Sequence, residues 1–347
     1  MLKQISIKVG LLLLMLVVLN GIYNLFFFEK DMAKVSNEIL QARTTQTETD
    51  VYYFGESSNF NTQEDDSIKS SISEISSYFY PHLRFTSINR PAAHAGIFKY
   101  WLREIHPQNG RPKAVIITMN LRSFNAAWIR SKLEMQLQES LVFTYPFPNL
   151  FNRFLLSLQP IDNKTEQQRE KLMKKDWRSQ VLKFPFKFKH RTTDDWNFTM
   201  SNGGHLKPDG TYDTEKCVLA CHYIKAYALN LDDKNPRIKD FDEIARYCEQ
   251  NKIKLYYNLL AENVEYADSL VGKELVYLMK ENRDFLMKRY NSENCTVVDN
   301  LELVPGLEFT DQTWTTEHYG YRGRMAIARN LANHLKKHFE KEYNKAY

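Results

Sequence analysis

At 347 residues, with 43% hydrophobic and 26% charged residues, the chain is long enough for a sizeable packed core and too short for three ordinary domains. Its formal charge of +5 is spread along the chain rather than gathered into a tail or stripe, which argues against a nucleic-acid partner. Cys217, Cys221, Cys248 and Cys295 follow no zinc spacing, and two cysteines four apart in one helix are badly placed for a disulfide. They read as small buried hydrophobes, and no metal or other cofactor is expected.

In chain order, residues 1–8 carry Lys3 and Lys8 and precede an uncharged run, residues 9–28 (VGLLLLMLVVLNGIYNLFFF). As a helix this run covers roughly 30 Å, the thickness of a bilayer's hydrocarbon core. Glu29, Lys30 and Asp31 follow it, so the positive-inside bias puts residues 1–8 in the cytoplasm and the remainder outside. The run is long for the apolar region of a signal peptide, and no A-x-A cleavage pattern follows. It is therefore read as an uncleaved single-pass anchor in the inner (cytoplasmic) membrane. Residues 29–49 are mostly polar and read as a stalk.

An alternation of strands and helices begins at residue 50 and defines the rest of the chain, 50–347, as one domain. Strands are expected at 51–54, 83–88, 114–119, 253–259 and 296–299, and the third is apolar enough to be buried on both faces. Helices are expected at 66–79, 93–105, 126–141, 214–229, 238–251, 266–289 and 322–340. Residues 143–212 break the rhythm with two aromatic and proline clusters (YPFPN and FPFKFKH) and read as an insertion containing one helix and covering one end of the sheet. The pattern specifies an α/β fold, a flavodoxin-like three-layer sandwich with a mainly parallel five-stranded sheet. In such sheets the site lies at the carboxyl ends of the strands.

Three strand ends carry chemistry. After the first comes Gly55-Glu56-Ser57, where a glycine turns the chain and a serine opens a helix whose N–H groups can hold an anion. After the third comes Asn120, whose side-chain amide can donate to an oxyanion. Beyond the fifth comes His318, followed by Tyr-Gly-Tyr-Arg-Gly-Arg324 and a helix. A histidine there can take the serine proton if another group fixes its ring. His94 is a competing base, more readily a pocket-lining residue. Arg122 could bind an anionic substrate group or form a structural ion pair.

This arrangement resembles the SGNH (GDSL-type) hydrolase superfamily over most of residues 50–340. Gly55-Glu56-Ser57 looks like the family's first block, Thr118-Met-Asn120 like the block that supplies an oxyanion asparagine, and His318 like the base of the terminal block. The resemblance implies Ser57 as nucleophile, His318 as base, and an oxyanion hole from the Ser57 N–H, Asn120 and an amide after the second strand. With Pro91 unable to donate, that amide is assigned to Ala92. Glu56 stands where the family has aspartate, and Thr315 where it has the triad acid, so Asp311 is the expected substitute. Glu317, adjacent to the base, is expected to point elsewhere.

One anchor followed by such a domain is similar in layout to bacterial envelope proteins that move acyl groups. The implied activity is that of an extracytoplasmic serine esterase or O-acyltransferase on acetyl-type esters of an envelope glycan, with a membrane-bound acyltransferase as a possible partner. The alternative is a degenerate binding or scaffold subunit of such a complex. Aromatics of the insertion would either stack on sugar rings or form a buried lid core. Asn163, Asn197 and Asn294 lie in Asn-x-Ser/Thr patterns, which matter only in a host that glycosylates.

Overall fold

The structure, a computed structural model, describes residues 2–45, 49–64, 66–105, 112–158 and 164–343. Residues 46–48 of the expected stalk and 159–163 of the insertion, with Asn163, lie outside the described residues. Five strands, β1 Val51–Gly55, β2 Phe85–Asn89, β3 Ala114–Met119, β4 Lys254–Leu259 and β5 Cys295–Asp299, form one sheet in the order β2-β1-β3-β4-β5. Every pairing is parallel. The order reverses between β1 and β3, the switch point where ligand crevices open in doubly wound sheets.

The N-terminal helices are α1 Leu2–Phe26, α2 Phe28–Val35 and α3 Asn37–Thr44. Between β1 and β4 come α4 Ser57–Phe60, α5 Ile72–Tyr78, α6 Ala95–Glu104, α7 Ala126–Ile129, α8 Lys132–Glu139, α9 Asn149–Ser157, α10 Glu166–Ser179, α11 Thr193–Ser201, α12 Thr214–Tyr227 and α13 Pro236–Gln250. The chain closes with α14 Val264–Leu270, α15 Lys273–Tyr290 and α16 Tyr321–Leu335.

Strand side chains alternate between two buried layers, as the two-residue period requires. Tyr52, Phe54, Val115, Ile117 and Tyr257 pack into the larger core, with residues of α6, α12, α13 and α15. Val51, Tyr53, Ala114, Ile116 and Tyr256 pack on the other face, against residues of α5 and α16.

Local chemistry moves several helix boundaries. The helix expected at 66–79 begins only at Ile72, where Ser71 and Glu74 form a capping box. Asp66 is instead spent on Arg324, 2.9 Å away. The expected 126–141 helix splits because Ser131 caps α8 by accepting the Glu134 N–H at 3.2 Å. The 266–289 helix breaks at Gly272, whose φ of +117° suits glycine. The insertion holds three helices, α9 to α11, rather than one.

The stalk reading of residues 29–49 is overturned. Phe28–Val35 and Asn37–Thr44 form α2 and α3, and Met32, Ile39 and Ala42 are fully buried in the larger core. Sparse but correctly spaced apolar residues, invisible to a composition argument, tie both helices to the domain. We therefore expect a chain beginning at Phe28 to keep its stability. One beginning at Thr49 should lose more than about 3 kcal/mol, since each large apolar side chain returned to water costs about 1.5–3 kcal/mol. Denaturant melts of the two chains in mild detergent check this; equal midpoints would contradict it.

Candidate active site

Gly55 ends β1 with no room for a side chain: a Cβ there would lie 2.3 Å from Asn89 Oδ1. Asn89 is held in turn by Asn59, whose amide donates to it at 2.8 Å and to Ser73 Oγ at 2.9 Å, and accepts from the Ser73 N–H at 2.8 Å. This buried amide ties α4 to the end of β2 and to α5, and so fixes the turn that carries Ser57. Ser57 opens α4, where the first N–H groups of a helix have no partner within it.

His318 arrives on the loop before α16. The Thr310 N–H donates to the His318 carbonyl at 2.9 Å, and buried Tyr319 donates its hydroxyl to the Ala261 carbonyl at 2.8 Å. The result is a contact of 3.0 Å between His318 Nε2 and Ser57 Oγ, across 261 residues of sequence. Burial holds the His318 pKa below the usual imidazole range against an opposing pull from Glu317, so the ring is neutral at neutral pH and able to accept a proton. The Asn61 amide, one helical turn after Ser57, lies 3.2 Å from Nδ1 and 3.1 Å from Nε2, astride the ring edge between them.

Asp311 is not bonded to this histidine. Its carboxylate accepts from the Thr313 N–H at 3.0 Å and from the Thr313 hydroxyl at 3.1 Å, closing a local turn. Its field on His318 is the weakest of the influences that act on the ring.

Asn120 departs from its expected place as a free oxyanion donor. Its amide donates to Glu56 Oε1 at 3.2 Å and Glu317 Oε2 at 2.9 Å, and its oxygen accepts the Arg122 N–H at 2.9 Å. Glu317 points away from the base, as expected, and turns inward, because it pairs with Arg122 Nη2 at 2.7 Å. Arg122 also lies 4.9 Å from the centroid of the Trp128 ring, so the guanidinium is committed to a structural pair rather than offered to a substrate.

Glu262, just beyond β4, completes a buried group. Its Oε2 accepts the Tyr227 hydroxyl at 2.5 Å, and it is 1% exposed, beside Glu56 and Glu317 at 2% each. One guanidinium serves three carboxyls. Burial, reinforced by Glu317, pushes the Glu56 pKa up to about 7 and that of Glu262 well above the carboxylate range. The floor of the site is thus a proton-holding carboxyl cluster. Glu262 stands at a strand end after an apolar run, the signal that could have exposed it in the sequence.

His94 belongs elsewhere. It caps α6 at 3% exposure, with Nε2 2.8 Å from Glu134 and Nδ1 accepting from Arg237. Burial and then Arg237 lower its pKa to about 4, so it is a neutral member of a buried ion network and not a competing base. Ala92 lies in the turn after β2 with φ of +59°, a conformation that costs a non-glycine residue about 1–2 kcal/mol.

The four cysteines are free and buried. Among the described residues no group of three or more His, Cys, Asp or Glu side chains is placed to hold a metal. Neither aromatic cluster of the insertion lines the serine: Phe184 and Phe186 pack on Tyr277, and Phe147 and Phe151 lie beside α1.

No protein-family model and no curated protein matches the sequence. Among solved structures, the chain is similar to a Streptococcus pneumonia protein provisionally described as a platelet activating factor. The TM-score is 0.39 and the identity 11%, over 92% of this chain and 98% of that one. It is also similar to the lipase/acylhydrolase from Enterococcus faecalis, at a TM-score of 0.31 and 9% identity, over 84% of this chain and 96% of that one.

Proposed function

We propose that the chain is an SGNH-type serine esterase or O-acyltransferase. The observation that carries this reading is the 3.0 Å contact between Ser57 and His318 at the switch point of a β2-β1-β3-β4-β5 sheet. Ser57 Oγ attacks an ester carbonyl as His318 Nε2 takes its proton. The tetrahedral oxyanion is held by the Ser57 N–H, the Ala92 N–H and, in place of the sequestered Asn120, the Asn61 amide. The protonated His318 then returns its proton to the departing alcohol, leaving an acyl-serine. Water or a sugar hydroxyl, deprotonated by His318, attacks the acyl carbon and releases Ser57. The machine is a dyad, with no carboxylate of the described residues hydrogen-bonded to the ring.

An acetyl-type ester of an envelope glycan, outside the inner membrane, is the substrate class we assign, because an apolar 25-residue N-terminal helix precedes the domain and lysines flank its start. A membrane-bound acyltransferase is the partner such an acceptor would need. The test is incubation with p-nitrophenyl acetate, followed by intact mass. An acetyl group on Ser57 supports the reading, and its transfer to added polysaccharide in preference to water marks a transferase. The second reading, a binding subunit without turnover, is favoured by the sequestration of Asn120; a folded chain that neither forms an acyl-serine nor releases p-nitrophenol above the Ser57→Ala background would support it.

In a dyad, Asp311→Asn should leave turnover within about threefold, since asparagine closes the same turn. A loss of about 100-fold or more would restore it as the triad acid. Because the neutral ring is the active form and its pKa lies below the usual imidazole value, kcat/KM should rise with pH to a plateau, with the midpoint of the rise below pH 6.5. A midpoint above that pH would contradict the buried-ring account.

A further inference from the structure

Asn20 and Asn24 are the two asparagines of α1, in an otherwise apolar stretch, and both are occupied by α9. Asn20 Oδ1 accepts the Leu150 N–H at 3.0 Å, one of the N–H groups a helix start leaves unpaired. Asn149 donates to Asn24 Oδ1 at 3.0 Å, and Arg153 pairs with Asp31 at 2.9 Å. Counted from Val9, the first residue after Lys8, at 1.5 Å per residue, Asn20 lies roughly 17 Å and Asn24 roughly 23 Å along a hydrocarbon core of roughly 30 Å, and Asp31 lies beyond it. Asn20 and Asn24 therefore stand in the half of the bilayer that α1 leaves, and α9 is fastened in that leaflet.

The outer face of α9 fits this position. Phe151, Phe154 and Leu158 recur at helical spacing on one stripe, and Phe147, in the turn before α9, packs edge-on against Phe151; Phe147, Phe151, Phe154 and Leu158 are 50%, 45%, 55% and 59% exposed. Large apolar side chains bared in a row are unusual on a water-facing surface. The stripe continues into the bare apolar surface of α1. Leu13 and Val17 on one side and Phe151 and Phe154 on the other wall a groove of about 870 Å³, with Arg153 among its few polar neighbours. The Arg153–Asp31 pair is 40% and 30% exposed, in keeping with a headgroup-level position where a long side chain keeps its charge wet.

Resting on the reading of α1 as a membrane span, we propose that α9 is a second membrane element. It lies in the interface plane of the leaflet that α1 leaves, its phenylalanine stripe immersed among acyl chains, and one lipid acyl chain fills the α1–α9 groove. Because α2 and α3 are packed into the core with no tether between, α9 holds the hydrolase-like domain flush against the bilayer.

The test uses the full chain in phosphatidylethanolamine/phosphatidylglycerol bilayers, with nitroxide labels at Phe151→Cys, Phe154→Cys and Leu158→Cys. Leu14→Cys in α1 and Leu307→Cys, at a residue 97% exposed beyond β5, are the references. The four native cysteines are buried and do not compete for label. Circular dichroism screens each variant for folding, and three separate positions keep one misfolded variant from deciding the outcome. The expected result is strong relaxation by oxygen and loss of collisions with a water-soluble nickel chelate at all three sites, as at Leu14→Cys. Nickel accessibility like that of Leu307→Cys, with Leu14→Cys protected, overturns the inference and leaves the anchor intact. Nickel accessibility at Leu14→Cys overturns the anchor and the inference together. Exclusion of both reagents with dipolar broadening shows a second copy on the stripe, and also overturns it.

Discussion

Ser57→Ala and His318→Ala should each abolish ester cleavage or transfer, with losses on the order of 10⁴-fold or more, as for other serine–base pairs. Either side chain alone is inert: a serine hydroxyl is a weak nucleophile until a base takes its proton, and among the described residues the imidazole nitrogen at hydrogen-bond distance is His318 Nε2, at 3.0 Å. The double variant should be no worse than either single one, because the pair acts as a unit. Both residues are half-buried at the mouth of the sheet rather than in its core, so melting should change by less than about 2 kcal/mol. Asn61→Ala should act differently, lowering kcat by about 10²-fold with little change in KM if its amide holds the oxyanion. Steady-state kinetics on an activated acetyl ester, with melts of each variant, measure all four effects.

Arg122→Met should be the most destabilising substitution at the site, by about 3–5 kcal/mol near neutral pH, because it strips the cation from a buried group of carboxyls. Glu317 loses its 2.7 Å partner, and Glu56 and Glu262 remain beside it out of water. The loss should depend on pH. With its pKa raised from 4.5 to about 7, Glu56 holds a proton in the folded chain that the unfolded chain gives up between those values. Its contribution is fully present below pH 4.5 and is lost as pH rises through 7, so the native protein should melt higher near pH 5 than near pH 8. Without Arg122 the carboxyls become still harder to ionise, and the variant's deficit should be largest at alkaline pH. Thermal melts of both chains across pH 5–8 decide it; a pH-independent deficit would mean that lost packing on Trp128, not charge, sets the cost.

Much of the fold was legible because its signals are local. Five strands were readable from apolar runs, and their alternation with helices specified a parallel sheet, which the structure has in the order β2-β1-β3-β4-β5. Ser57 and His318 were legible because glycine-led strand ends and a histidine ahead of a terminal helix are sequence features. What failed depended on distance in space. Asn120 looked like a free donor, yet Glu56 and Glu317, 64 and 197 residues away, take its hydrogens. Adjacency suggested that Glu317 would diverge from His318. It does, but toward Arg122 and the interior. Asp311 was chosen as the one aspartate in the loop from 311 to 318, while Thr313 sits two residues on and captures it. The polar look of residues 29–49 hid the few side chains that dock it, because three buried residues, Met32, Ile39 and Ala42, leave little trace in composition.

The central claim, that Ser57 is an activated nucleophile served by His318, is tested most directly by a serine-directed fluorophosphonate read by intact mass. The folded full-length chain should take up one phosphonyl group, mapped to Ser57, with a rate that rises with pH to a plateau, its midpoint below pH 6.5, as His318 loses its proton. Ser57→Ala and His318→Ala should take up none. A folded wild-type chain that stays unlabelled, or a Ser57→Ala chain that labels as fast as wild type, would contradict the account.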